Sequence, residues 1–216
     1  MDYRRPVEAL IPGVQGRVLG VLSRTSTELT MRTVARLAGV SAQQASVVIG
    51  RLVDLGVVER RDVPPASLVR LVADNLPAQT IASVANLRFA GLERLSALAA
   101  DITPPPASLA VFGSFARGEA GPDNDVDVLA VRPPELTCGA SGEWVNSLGR
   151  WADQATRAIG NPVNLVEIEA ADLPGLLAGP GPSLWHDAAR DGDVVAGAPL
   201  TEVAKAAWPC SGPHMT

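Results

Sequence analysis

The sequence predicts an α+β protein in two parts: an N-terminal helix-turn-helix unit with a short two-stranded wing, a linking helix, and a C-terminal unit built on a mixed sheet. Three observations lead there. A paired helical pattern is interrupted at Gly39-Val40-Ser41, a proline run at Pro104-Pro105-Pro106 divides the chain, and beyond it strand-like apolar runs alternate with helical ones. The organisation expected is a first unit over residues 1–75, a connecting helix over 76–103, a second unit over 104–208 and a flexible tail over 209–216.

In the first unit, Val18, Leu19, Val21 and Leu22 set a helical period between Gly16 and Arg24, and Val34, Ala35 and Leu37 repeat it between Met31 and Leu37. Gly39 suits a left-handed helix end and Ser41 an N-cap. A second helix is therefore expected from Ala42 to Leu55, burying Val47, Val48, Leu52 and Leu55. Val57-Val58-Glu59-Arg60 and Leu68-Val69-Arg70-Leu71-Val72 flank the Asp62-Val63-Pro64-Pro65 turn and make two strands of a wing. Over roughly residues 13–75 this order resembles a winged helix-turn-helix domain of the MarR or ArsR kind. The resemblance implies DNA as a partner, with the helix from Ala42 entering the major groove. Gln43, Gln44 and Ser46 would then reach base edges or phosphates, and Arg51, Arg60 and Arg61 the backbone near the wing. Winged helices also serve as protein-docking modules, and Arg36 reads equally as a surface charge or a phosphate contact. Readers of two half-sites are two-fold dimers, so a homodimer is expected.

The connecting segment carries Ile81, Val84, Leu87, Leu92, Leu95 and Leu98 between Ala78 and Ala100, with neither Pro nor Gly before Gly91, and reads as one long amphipathic helix. Thr103-Pro104-Pro105-Pro106 ends it, because proline cannot continue a helix.

The second unit opens on its most telling stretch, Val111 to Val131. An apolar run ends at Phe112 and a tight Gly113-Ser114 turn follows. A short helical segment leads to Arg117-Gly118, and after a polar turn Asp125-Val126-Asp127 enters the apolar strand Val128 to Val131. Side chains alternate along a strand, so Asp125 and Asp127 project to one side while Val126 and Val128 enter a core. Two carboxylates so placed repel unless a cation lies between them, which reads as a ligand set for Mg²⁺ or Mn²⁺. Gly113 lets the backbone approach an anion, Ser114 offers a hydroxyl, and the amides opening the helical segment point at whatever sits there. A nucleotide triphosphate is the expected ligand. A D-x-D pair taken alone is equally a solvated strand edge.

The pattern G-S-x-x-R-G, six residues, then D-x-D resembles the signature of the minimal, MNT-type branch of the polymerase-beta-like nucleotidyltransferase superfamily. The match covers about twenty contiguous residues. It implies that Gly113 and Ser114 contact the triphosphate, that Asp125 and Asp127 bind the divalent ions, and that Arg117 helps with phosphate charge or with local packing. Asn124 stands where the family usually has Ser. Proteins similar in this domain include toxins that modify tRNA, antitoxins that modify a partner, and antibiotic-modifying enzymes. The implied reaction is Mg²⁺-dependent transfer of a nucleoside monophosphate from a triphosphate to a hydroxyl of an RNA, a protein or a small molecule. The family draws a third carboxylate from a later strand, here Pro162 to Ile168, and the corresponding position is Asn164. Glu167 and Glu169 lie at odd offsets from it, so a bulge would be needed to re-aim Glu167 as a metal ligand; otherwise both are solvated. Two-metal catalysis clamps both attacking and leaving oxygens, so fold, nucleotide binding and turnover are separate expectations. The alternative is a DNA-binding regulator whose nucleotidyltransferase-like domain senses a nucleotide or dimerises without turnover.

The remaining elements follow in order. A helix from Ser141 to Ile159 buries Trp144, Leu148, Trp151 and Ala155, and Gly160-Asn161-Pro162 ends it before the strand. A short helix starts at Ala170-Ala171-Asp172-Leu173, another spans Leu184 to Arg190, and a last strand holds Val194-Val195. His186 has no Ser or Cys nucleophile signature around it and reads as a surface or capping residue.

Composition is consistent with this organisation. The 216 residues are 47% hydrophobic, enough for packed cores. Residues 1–75 carry ten Arg against seven acids, and residues 76–216 eight bases against sixteen acids, so the two halves are suited to different partners. No run of about 18 apolar residues appears and MDYRRPVEAL lacks a signal-peptide core, so a cytoplasmic protein is expected. Cys138 and Cys210 are too far apart to read as a metal pair; reduced thiols are expected, and zinc is not.

Overall fold

The computed structural model describes residues 1–134, 136, 141–180 and 184–207. The chain divides into two compact units, residues 2–87 and residues 88–216 with Met1.

The first unit runs α1 (Pro6–Leu10), α2 (Val14–Leu22), β1 (Leu29–Thr30), α3 (Met31–Ala38), α4 (Ala42–Asp54), β2 (Val58–Val63), β3 (Ala66–Leu71) and α5 (Leu76–Ala85). Its three strands are antiparallel in the order β1-β3-β2. Gly39 ends α3 at φ +61, a left-handed backbone angle that glycine adopts without strain. Ser41 then caps α4: its side chain accepts from the Gln44 N–H, and the Gln44 side chain accepts from the Ser41 N–H. This reciprocal capping box is why α4 begins at Ala42. The buried face of α4 differs from expectation. Ala45, Ile49 and Leu52, spaced at i, i+4 and i+7, enter a core with Val18, Leu19, Val34 and Val69, whereas Val47 is 51% and Leu55 68% exposed. The alternative stripe shares Leu52 with this one, so the period alone pointed to a helix but not to its angle about its axis.

The single connecting helix expected over Ala78–Ala100 is two helices, α5 and then α6 (Leu87–Ala99). Asn86 separates them; its backbone N–H and its side-chain amide both donate to the Ala82 carbonyl, a local bond that competes with helix continuation.

The second unit continues with β4 (Ser108–Phe112), α7 (Gly113–Ala116), β5 (Val126–Arg132), α8 (Ser141–Ile159), β6 (Val163–Glu169), α9 (Leu173–Ala178), α10 (Leu184–Asp191), β7 (Asp193–Gly197) and α11 (Leu200–Ala207). The sheet order is β6-β5-β4-β7, with β5 and β6 parallel and the other pairs antiparallel. A parallel pair needs a long crossover, which α8 supplies between β5 and β6. Trp144, Leu148, Trp151 and Ala155 of α8 are buried at helical spacing. Leu129, Val131, Val166 and Ile168 project to the other face, where they pack with Leu173 of α9 and with Leu200 and Val203 of α11. Helix α6 packs closely at Gly91, where a Cβ would come within 3.0 Å of Ile159 and 3.3 Å of Phe115.

Helices α1 and α11 and strand β1 went unpredicted, each being too short or too weakly patterned to register. No described helix is long and apolar enough to cross a membrane. Cys138, Cys210 and the tail lie outside the described residues.

Candidate functional site

Strand pairing brings the Gly-Ser turn to the aspartate pair. Phe112, the last residue of β4, is opposite Asp127 of β5, so the chain turns into α7 directly over the Asp127 carboxylate. Gly113 makes that turn at φ +74, and a Cβ built on it would come within 2.8 Å of Asp127 Oδ2. Both the backbone angle and the closeness of the carboxylate require glycine here. Ser114 is half-buried beside it, and its carbonyl accepts from the Glu119 N–H at 2.7 Å, closing the loop. Asp125 is exposed just ahead of β5, and Val126 donates its N–H to the Pro162 carbonyl at 2.8 Å, fixing the strand entrance. Asn161, 1% exposed, donates to the carbonyls of Gly121 and Asn124 and holds the preceding turn.

Asn164 faces Asp127 in register across β5 and β6, and its Nδ2 donates to Asp127 Oδ1 at 3.0 Å. The position expected to lack its carboxylate therefore touches Asp127 through an amide. Glu167 does not join them. The β5–β6 register runs unbroken from Val126–Val163 to Arg132–Glu169, so no bulge re-aims it, and alternation puts it on the α8 side of the sheet. There it accepts from Trp144 Nε1 at 2.9 Å and pairs with Arg132, which also reaches Glu169 at 3.6 Å. Among the described residues no group of three or more His, Cys, Asp or Glu could hold a metal. The Asn164 amide meets Asp127 as a donor, not as a metal ligand. Carboxylate oxygens such as those of Asp125 and Asp127 are the chemistry that a hard divalent cation completed by phosphate oxygens takes.

Arg117 leaves the loop outward and pairs with Glu119 at 2.9 Å. Helix α10 ends nearby in Arg190 and Asp191; their hydrogen bond, with a smaller contribution from Arg117, holds the Asp191 carboxyl below its ordinary range. His186 lies half-buried on α10. One contact to the loop had no signal in the sequence. Arg88, near the start of α6 and far upstream, donates to the carbonyls of Phe115 and Ala116.

In the first unit, Gln43, Ser46 and Arg51 are exposed along α4, as is Arg36 on α3. Gln44 is also exposed, but its side chain is spent on the capping box, which sequence spacing did not weigh against base contact. The wing arginines are paired within the unit. Arg60 donates to Asp62 at 2.9 Å and to Ser67 at 3.0 Å, Arg61 donates through Nε to Glu28 at 3.0 Å, and Arg70 pairs with Glu59 directly across the β2–β3 ladder. These bonds lower the Glu28 carboxyl through Arg61, and the Asp62 carboxyl through Ser67 and then Arg60.

Two family models match this chain: one described as MarR family over residues 11–66, and one described as nucleotidyltransferase domain over residues 92–169. A search of curated proteins found no match. A solved structure described as a mutant of the toxin-antitoxin MntA-HpeT aligns over 54% of this chain and 82% of its own, at 14% identity and a TM-score of 0.35.

Proposed function

We propose that this chain, a MarR-family domain followed by a nucleotidyltransferase domain, transfers a nucleoside monophosphate from a triphosphate to an acceptor hydroxyl and binds DNA through its winged helix. The observation that carries the first part is the seating of Gly113 against Asp127, which puts the Gly-Ser turn and the D-x-D pair at one end of β4 and β5.

In this reading Asp125 and Asp127 hold a divalent cation, and Gly113 leaves room for phosphate oxygens beside it. When bound, the ion supplies charge stabilisation of the phosphates and of the leaving group. The Ser114 hydroxyl donates to a phosphate oxygen and orients the chain of phosphates. The acceptor oxygen attacks the α-phosphorus, the bond from that phosphorus to the oxygen bridging to the β-phosphorus breaks, and pyrophosphate leaves with the electron pair. The hydroxyl proton passes to solvent. The test is transfer of label from each of the four α-labelled triphosphates. Transfer that is present in the parent and absent in Asp125→Ala supports the reading; absence from the parent with all four counts against it.

Asn164 favours a second reading. An amide beside Asp127 cannot replace the charge of a third carboxylate, so one ion can be held while a second that activates the acceptor is weakened. The domain would then bind a nucleotide without turning it over and report it to the DNA-binding unit, as a cytoplasmic, dimeric regulator. Triphosphate binding without label transfer is the result that selects this reading.

DNA binding is supported by the exposed face of α4, where Gln43, Ser46, Gly50 and Arg51 are open to solvent. A labelled DNA fragment titrated with Gln43→Ala tests it; unchanged affinity removes the recognition-helix assignment.

A further inference from the structure

We infer that Arg88 is a positioning residue for the Gly113–Ser114 turn, holding the loop in the conformation a triphosphate would meet; its bearing on binding rests on the nucleotide site proposed above. Helix α7 is four residues long, too short to hold its own shape. Its Phe115 carbonyl accepts from the Gly118 N–H at 3.0 Å, and Arg88 adds further donors at the end of the helix. Its Nε donates to the Phe115 carbonyl at 3.0 Å and its Nη2 to the Ala116 carbonyl. The same Nη2 reaches Asp193 Oδ2 at 2.5 Å, and Asp193 opens β7 opposite Val111 of β4.

One guanidinium thus joins α6, the end of α7 and the strand that flanks β4. It is 19% exposed and set against the negative end of the short helix. Its stem lies beside Gly118, whose φ of +72 folds the chain back after Arg117; a Cβ there would sit 3.7 Å from Arg88 Cδ. One turn further along α6, Gly91 lets Phe115 approach the helix closely. The backbone that Arg88 grips from behind begins at Gly113, the residue seated on Asp127, so slack at Phe115–Ala116 is passed on to the turn. A lysine can place a charge here but cannot supply the planar fork that serves three acceptors at once.

The experiment compares the parent protein with Arg88→Lys and Asp193→Asn by hydrogen exchange and by calorimetry. Exchange at the amides of Arg117, Gly118 and Glu119, which bond to Gly113, Phe115 and Ser114, is measured without nucleotide. Calorimetry then follows titration of Mg²⁺ with ATP, CTP, GTP and UTP. The expected result is about tenfold faster exchange confined to those amides, and a triphosphate Kd raised by about tenfold in Arg88→Lys, with a smaller shift the same way in Asp193→Asn. Thermal midpoints should stay near the parent value, which separates positioning from a general loss of fold. If Arg88→Lys lowers the midpoint broadly, Asp193→Asn decides alone, since it keeps the guanidinium and its two carbonyl bonds. Unchanged exchange at 117–119 in the variant that keeps its midpoint overturns the inference. A parent that binds no triphosphate would sink the nucleotide site, while the exchange arm still judges Arg88.

Discussion

Asn164 donates its side-chain amide to Asp127 across the parallel β5–β6 pair at 3.0 Å, at the register position where a third carboxylate would meet the D-x-D pair. Asn164→Asp places that carboxylate with little change of shape. It should raise label transfer at least about tenfold at saturating Mg²⁺, because the second ion regains a ligand. Without a divalent ion the same variant should have a lower thermal midpoint than the parent, since two carboxylates then face each other. An equal response of both proteins to added Mg²⁺ would sink this account of Asn164.

Gly113→Ala combines a positive φ with a Cβ 2.8 Å from Asp127 Oδ2. Strain of about 1 kcal/mol or more is expected in the backbone alone. Displacement of the Asp127 carboxylate should also reduce triphosphate binding, whereas Gly142→Ala, on exposed helix with nothing near its Cβ, should leave binding unchanged. Titration of both variants side by side gives the comparison.

The two glutamines that open α4 should separate cleanly. Gln44→Ala removes half of the capping box and should cost about 0.5–1 kcal/mol of stability with little effect on DNA affinity. Gln43→Ala leaves the cap intact and should cost about 1–3 kcal/mol in binding to the preferred site if it reads a base. Denaturant melts and DNA titrations of the two single variants test both halves.

Glu28 holds Arg61 of the wing. Glu28→Gln should release that charge and steepen the dependence of log affinity on log salt by about 1, if Arg61 then meets a phosphate. The folded Glu28 and Asp62 carboxyls are held below their ordinary ranges, so their pairing contributes above the unfolded carboxylate range and is lost as pH falls through the lowered values. Stability and DNA affinity in the first unit should therefore stay level from pH 8 to about 5 with respect to these pairs, and change only below about 4. A steep response near neutrality would contradict the assignment of these two groups.

Much of the architecture was legible because its signals are local. Gly39 and Ser41 mark their turn by chemistry that needs no tertiary context, and the apolar run of β4 between a proline break and a Gly-Ser turn marks a central strand. Helix α8, 19 residues long, was legible because Trp144, Leu148, Trp151 and Ala155 recur at helical spacing and Gly160-Asn161-Pro162 follows it. What escaped depended on neighbours distant in sequence. The rotation of α4 is set by what Ile49 packs against, and the fate of Glu167 by a tryptophan 23 residues upstream. Arg88 was illegible for the same reason, since nothing beside it announces that its partners are the carbonyls of a loop 27 residues later.

Calorimetric titration of Mg²⁺ with ATP, CTP, GTP and UTP into the parent protein and into the double variant Asp125→Ala, Asp127→Ala is the most direct measurement. Mg²⁺-dependent binding of at least one triphosphate to the parent, and its loss in the double variant, are expected. Absence of binding to the parent with all four, or binding that survives loss of both aspartates, would contradict the proposed nucleotide site.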